Sequence, residues 1–297
     1  MPVREKNKNN FMPFNFFEKN IFKKSEKGAE TASPEKTPAH LRLYGDKVVD
    51  LFCKQFSVEG KENIENAKEE DPDQKFIITA AHLNNLDVPA ALKVFGDDFN
   101  IQMTGESVLL EKMKYLGHRM MINLAGKDNF TPIDYKENSE GKRGSFNPDN
   151  FTAIEEKMKE GKTPWIAAHP FALDGKMKKA SIGPVYLAAK TKSMLIPTAL
   201  DISGGSVNLE GAVENVKALV DRSKAVYRIG EVFKVPDIDI SIIGEVLAKR
   251  KKGGEISREE LEKFSAVHQQ LIEQADLLEE RLAKLLPENK RYHEVEK

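Results

Sequence analysis

KFIITAAHLNNLDVPAALKVF, Lys75 to Phe95, is the stretch on which the fold turns. KFIITAA (Lys75 to Ala81) is a short, unbroken apolar run, the pattern of a strand buried on both faces. HLNNL is a polar break. DVPAALKVF then opens a helix. Asp87 suits its N-cap, and Pro89 suits the first turn, where a missing N–H costs no hydrogen bond. His82 therefore follows a buried strand directly, and Asp87 stands at the start of the next helix.

The same alternation extends to either side. Upstream, LRLYGDKVVDLFCKQF spaces Leu43, Val48, Val49, Phe52, Cys53 and Phe56 at helical intervals. Cys53 lies on that stripe as a small buried hydrophobe, with nothing basic nearby in sequence to make a thiolate. Downstream, FNIQMTG (Phe99 to Gly105) predicts a strand, SVLLEKMKYLG a helix that stops at Gly117, and RMMINL (Arg119 to Leu124) another strand. Ala125 to Asn150 is rich in Asn, Lys, Gly, Asp and Ser and is expected as an exposed loop. FTAIEEKMKEG predicts a helix, PWIAA (Pro164 to Ala168) a strand, SIGPVYLAAKTK a helix, and MLIPTAL (Met194 to Leu200) and VYRIGEVF (Val226 to Phe233) two further strands. Strands alternating with helices indicate an α/β domain. The expected fold is a mixed, largely parallel sheet with helices on both faces and helical additions at the N- and C-terminal ends.

Three regions follow. Residues 1–40 are rich in Lys, Glu, Asn, Ser and Pro and are expected to be flexible. Within them FMPFNFFEKNIF, Phe11 to Phe22, carries five phenylalanines beside Lys19, Lys23 and Lys24. It suits either an anchor at a membrane surface or a segment packed on the domain. Residues 41–235 form the α/β domain, and 236–297 a helical region. There Leu261, Phe264, Val267, Leu271, Ala275, Leu278, Leu282 and Leu285 follow the three–four spacing of an amphipathic helix. That helix packs on its own domain or forms a seam for self-association.

Composition narrows the function. A net charge of -1 gives no overall field to attract nucleic acid. The single cysteine rules out a disulfide within the chain and fits a reducing compartment. No apolar run reaches the roughly 20 residues that cross a bilayer, and MPVREKNKNN lacks the apolar core of a secretory signal. A cytoplasmic protein is expected, peripheral on the inner face of the membrane where it touches lipid. The histidines are scattered, so no metal is expected.

His82 and Asp87 carry the chemistry. The crevice beyond the carboxyl ends of strands is where α/β sheets bind ligands. A carboxylate there can accept one imidazole N–H, fix the tautomer and stabilise the imidazolium, while the other ring nitrogen removes a proton from a hydroxyl. The plainer alternative is a histidine at a strand end beside an ordinary helix cap.

The sequence from about Phe56 to Phe233 resembles the glycerolipid acyltransferases, whose best-known members are the 1-acylglycerol-3-phosphate acyltransferases. FSVEGKENI (Phe56 to Ile64) looks like the strand and Gly-x-Glu-Asn element ahead of the family's first block. AAHLNNLDVPAAL is similar to its N-H-x-S-x-x-D-x-x-x-L block, with Ala81 for Asn and Asn84 for Ser. Asp174 to Leu200, with a basic loop, a helix-starting Gly and a closing strand carrying Pro197, resembles the region after the third block. VYRIGEVF resembles the late strand.

The resemblance implies transfer of a fatty acyl group from acyl-CoA or acyl carrier protein, as co-substrate, to a lipid hydroxyl, with no other cofactor. It implies His82 as general base and Asp87 as its partner, with Asn84 in the same block. The third block is usually F-P-E-G-T-R, and here it is His169-Pro170-Phe171-Ala172-Leu173. The second block's Arg is matched only by Arg119 or Lys127 in shifted places. These blocks hold the acceptor's glycerol phosphate in the family, so the acceptor is where this chain departs. Lys176, Lys178 and Lys179 supply positive charge for a phosphate or form a solvated loop. His169 donates a hydrogen bond near the thioester oxygen or is structural. The acceptor is a lysophospholipid such as 1-acylglycerol-3-phosphate, or another such as glycerol-3-phosphate or an amino-acid lipid. The remaining alternative is a lipid-binding or scaffold protein on a decayed acyltransferase fold.

Overall fold

A computed structural model describes residues 36–106, 116–133, 148–172, 174–203 and 222–292, all within the compact unit Pro34–Lys297. Phe11 to Phe22, positions 107–115 of the helix expected to stop at Gly117, and Leu173 lie outside the described residues, as do 134–147 and 204–221; a helix begins at Leu116, so Gly117 lies inside it rather than at a helix end. In chain order the elements are α1 (Ala39–Phe52), β1 (Cys53–Glu59), α2 (Glu62–Glu70), β2 (Phe76–Ala81), α3 (Asp87–Phe95), β3 (Ile101–Glu106), α4 (Leu116–Asn129, broken at Gly126) and β4 (Phe130–Ile133). They continue with α5 (Thr152–Lys159), β5 (Thr163–Ala167), α6 (Gly183–Thr191), β6 (Met194–Ser203), β7 (Ser223–Ile229), β8 (Phe233–Lys234), α7 (Ser241–Lys251) and α8 (Arg258–Lys284).

Eight strands among the described residues make one sheet in the order β1-β7-β6-β2-β5-β3-β4, with β8 also on β6. β7 and β8 run antiparallel to β6, and the other pairs are parallel. β2 lies between β5 and β6 and is buried along its whole length, which is why its sequence is continuously apolar. Its side chains alternate between two cores. Phe76, Ile78 and Ala80 face a core shared with α1, α2, α3 and α4, and Ile77 and Ala81 face one shared with α5, α6, α7 and α8. The sheet is thus mixed, mostly parallel and covered by helices on both faces.

Two close approaches fix the N-terminal part. α1 crosses α3 at Gly45, where a Cβ would stand 2.7 Å from the Pro89 carbonyl oxygen and 2.9 Å from Lys93 N. At the end of β1, Gly60 turns with φ +80°, and a Cβ there would meet Ile229 O at 2.1 Å. Asn63 donates to that same oxygen at 3.0 Å. The Gly and Asn of the Gly-x-Glu-Asn element therefore pin the turn to the end of β7. Before α1, the Thr37 hydroxyl donates to Phe99 O (2.7 Å) and accepts from Ile101 N–H (2.9 Å), latching the chain to the start of β3.

The structure corrects several expectations. RMMINL is part of helix α4, not a strand: a run that short fits either period, and Ile122 and Ala125 face the core from the helix. The described start of the loop expected from Ala125 instead finishes α4 and forms β4, with Phe130 and Ile133 buried. The first helix ends at Phe52, so Cys53 and Phe56 belong to β1. Cys53 is buried, and burial pushes its thiol up to about 11, as suits an inert packing residue. VYRIGEVF divides into β7 and β8 around Gly230. α8 begins with a capping box: Ser257 Oγ accepts from Glu260 N–H, and the Glu260 carboxylate accepts from Ser257 N–H.

The end of the chain returns to the loop that follows β5. Met177 N–H donates to Lys290 O at 2.8 Å, and Ala180 N–H donates to the Glu279 carboxylate at 2.8 Å. Lys290 Nζ reaches Asp201 Oδ1 at 2.7 Å.

Candidate active site

The connections of β2 and β5 diverge. From β2 the chain passes through α3, on one face, to β3 beyond β5. From β5 it passes through α6, on the other face, to β6 beyond β2. This is a topological switch point, and the crevice at the carboxyl ends of such strands is the preferred ligand site of an open α/β sheet. His82 leaves β2 at that crevice, and His169 to Ala172 leave β5 there. Ala172 N–H donates to His82 O at 3.1 Å and Ala168 N–H to Ala80 O at 2.9 Å, binding the two loops together.

His82 Nδ1 donates to Asp87 Oδ2 at 2.9 Å. The same oxygen accepts Leu83 N–H at 3.0 Å and Asn84 N–H at 3.1 Å. Asp87 is 2% exposed, and the His82 side chain is 21% exposed, so the carboxylate is sealed behind an imidazole that still meets solvent. Asp87 was expected as the helix N-cap, but Leu86 holds that position and makes no side-chain cap bond. The Asp87 carboxylate turns back instead to N–H groups of the loop before the helix. Burial pushes the carboxyl up from the ordinary range, and its bond with His82 is the strongest pull the other way. A carboxylate on Nδ1–H leaves Nε2 as the basic nitrogen, and among the described residues Nε2 has no bonding partner.

Aromatic rings hold the imidazole edge-on. The His82 ring centroid is 5.6 Å from that of Trp165 on β5 and 4.9 Å from that of Phe171. Asn84 is engaged in shaping the loop: its Oδ1 accepts Leu86 N–H at 2.9 Å, and its Nδ2 donates to Leu200 O at 3.4 Å.

His169 is buried beside this pair. Its Nδ1 donates to Pro170 O at 2.8 Å, which leaves Nε2 as an acceptor, buried and without a partner. Burial lowers its pKa to about 4, so at neutral pH Nε2 carries no proton and can only accept. The lysines lie further out on the same loop. Lys178 bonds Asp174 at 2.5 Å, and Lys179 stands 3.5 Å from Asp276, all four side chains being exposed. The backbone of Lys176 donates to Asp174. The side chain of Arg119, on α4, and that of Lys127 lie outside the described residues.

The structure thus brings together His82, Asp87, Asn84 and His169, with Lys178 near His169. It adds Trp165, Phe171 and the N–H groups of Leu83 and Asn84, which the sequence reading did not select. Trp165 is the chain's one tryptophan and sits in a predicted buried strand, a signal that an indole N–H would need a partner. Among the described residues no group of three or more His, Cys, Asp or Glu could hold a metal ion, and no helix is long and apolar enough to cross a membrane.

No protein-family model matches the chain, and no curated protein matches it. Among solved structures it is similar to the 1-acyl-sn-glycerophosphate (LPA) acyltransferase PlsC from Thermotoga maritima, at 19% identity and a TM-score of 0.42, over 81% of this chain and 79% of that one.

Proposed function

We propose that this protein is an acyltransferase that moves a fatty acyl group from an acyl thioester to a hydroxyl. The observation that carries the reading is the His82–Asp87 pair, 2.9 Å apart at the switch point, with the carboxylate buried and the imidazole open to solvent. Asp87 holds Nδ1–H, so Nε2 accepts the proton of the acceptor hydroxyl as its oxygen attacks the thioester carbonyl. The C–O bond forms, the C–S bond breaks, and the proton on Nε2 passes to the departing thiolate. The donor is acyl-CoA or acyl carrier protein, and the lipid acceptor is met at a membrane surface. The resemblance of residues 56–233 to the glycerolipid acyltransferases points to a lysophospholipid such as 1-acylglycerol-3-phosphate.

A second acceptor class is favoured by one observation. Where the resembled block has an acidic residue, Phe171 sets its ring against His82. The block's Arg, the residue able to make charge-assisted bonds to a phosphate, has no counterpart among Phe171, Ala172 and Leu173, which favours an acceptor with no charge beside the reacting hydroxyl.

The test is incubation with acyl-CoA and acyl carrier protein thioesters and a panel of phosphorylated and uncharged acceptors, with products identified by mass. The expected result is an ester with one acceptor class and its loss in His82→Ala, by about 100- to 10,000-fold. No product with any pair, or a folded His82→Ala variant at parental rate, overturns the proposal.

A further inference from the structure

Asp87 has a second oxygen. Oδ2 takes three donors, while Oδ1 is buried with no hydrogen-bond partner. Two more buried polar groups near it share that condition: the indole N–H of Trp165, 2% exposed, and the hydroxyl of Tyr227, 1% exposed. Both side chains belong to the core that α3 covers. Trp165, on β5, meets the His82 ring edge-on. Tyr227, on β7, lies opposite Leu200 in the sheet, and Leu200 O receives the amide of Asn84 from the Asp87 loop. The Tyr227 ring also packs edge-on against Phe95 at the far end of α3, centroids 5.7 Å apart. The hydroxyl is kept protonated first by burial, with the Asp87 charge acting in the same direction, while Thr198 and Trp165 lie near enough to pull the other way.

The three groups are complementary. Oδ1 only accepts, the indole N–H only donates, and the phenol does both. A buried polar group without a partner is costly, and three such groups on one face of the sheet suit one ordered water. Ala80, between Ala167 of β5 and Thr198 of β6, is the small side chain on this face between the strands that carry Trp165 and Tyr227.

We propose that Trp165 and Tyr227 are positioning residues for Asp87, holding Oδ1 through one buried water while His82 and the loop hold Oδ2. Their part in the reaction rests on the reading of Asp87 as the carboxylate behind the base. Supported on both oxygens, the carboxylate cannot rotate away from Nδ1–H when the imidazole becomes charged.

A high-resolution crystal structure of the full chain is the first test. It should show one water within about 3.2 Å of Asp87 Oδ1, Trp165 Nε1 and Tyr227 Oη. A Tyr227 hydroxyl bonded to Thr198 alone, with no water on Oδ1, overturns the proposal. The second test is Tyr227→Phe, which keeps the ring on Phe95. The low-field resonance of the His82 Nδ1 proton should move, and kcat should fall by about tenfold with little change in KM. An unmoved resonance, or an unchanged kcat in a preparation whose parent is active, overturns it. Neither the water nor the resonance needs turnover. A parent that acylates nothing therefore removes the proposed reaction and leaves these two results to decide the positioning. If Tyr227→Phe does not fold, the parent's crystal structure decides.

Discussion

Asp87 Oδ2 receives His82 Nδ1–H at 2.9 Å and the backbone N–H groups of Leu83 and Asn84 at 3.0 and 3.1 Å, so one oxygen gathers the ring and the loop that carries it. Asp87→Asn separates the two tasks. An amide oxygen still accepts from the loop, and a neutral side chain suits a buried position better than a carboxyl already pushed up by burial. The thermal midpoint should hold or rise. An amide gives the imidazolium no counter-charge, and kcat for acyl transfer should fall by about 1,000- to 10,000-fold. Unfolding scans and steady-state rates on the same preparation check this; equal activity would reduce Asp87 to a loop fastener.

His169 makes a prediction about pH. Its pKa is lowered by burial to about 4 in the folded chain, against about 6.5 in an unfolded one. Between those values the unfolded state binds the extra proton, so stability rises with pH. The contribution is complete above about pH 6.5 and is lost as pH falls toward about 4, on the order of 3 kcal/mol in all. Denaturant unfolding from pH 4 to 7 should show this slope, and His169→Phe should flatten it relative to the parent. His82, Asp174 and Lys178, which lie near His169, remain in both. Parallel curves would mean the site stays wet enough for His169 to charge.

Gly45→Ala would stabilise an ordinary exposed helix by about 0.5–1 kcal/mol. Here the new methyl meets backbone atoms of α3, with 2.7 Å to Pro89 O, and those atoms cannot swing aside. Overpacking of this kind costs about 1–3 kcal/mol, and the net effect should be destabilising. A denaturation midpoint at or above the parent's would show that α1 shifts freely across α3.

The N-terminal region carries the attachment proposal. Thr37 is latched to Phe99 and Ile101, so the cut must fall before it. A chain lacking residues 1–34 should unfold at the parental midpoint and float less with anionic vesicles, because the aromatic and lysine residues of Phe11 to Phe22 are removed. Equal flotation would sink the anchor and leave packing as the role of that segment.

Much of the fold is legible in the sequence because β2 is buried on both faces and bounded by polar residues; no other element matches that pattern over Lys75 to Ala81. RMMINL shows the limit. A short apolar run carries no period, and only packing by Ile122 and Ala125 makes it helical. α2 was not marked out, since it buries only Ile64 and Ala67 and its other residues are polar; α7 falls in the expected helical region 236–297, but it buries only Ile243 and Val246 and its other apolar residues form no clean stripe. His82 and Asp87 were legible because they are neighbours in sequence. Trp165, Phe171 and Tyr227 reach the site only through the strand order β7-β6-β2-β5, which local pattern does not encode.

The bond from Met177 N–H to Lys290 O has a consequence for how the protein is made. The loop that carries Phe171 against His82 is fastened by a residue more than a hundred positions later in the chain. A ribosome that has delivered every strand of the sheet has not yet delivered that fastening. The nascent chain can assemble its two cores, but the final shape of the loop waits for Lys290 to emerge.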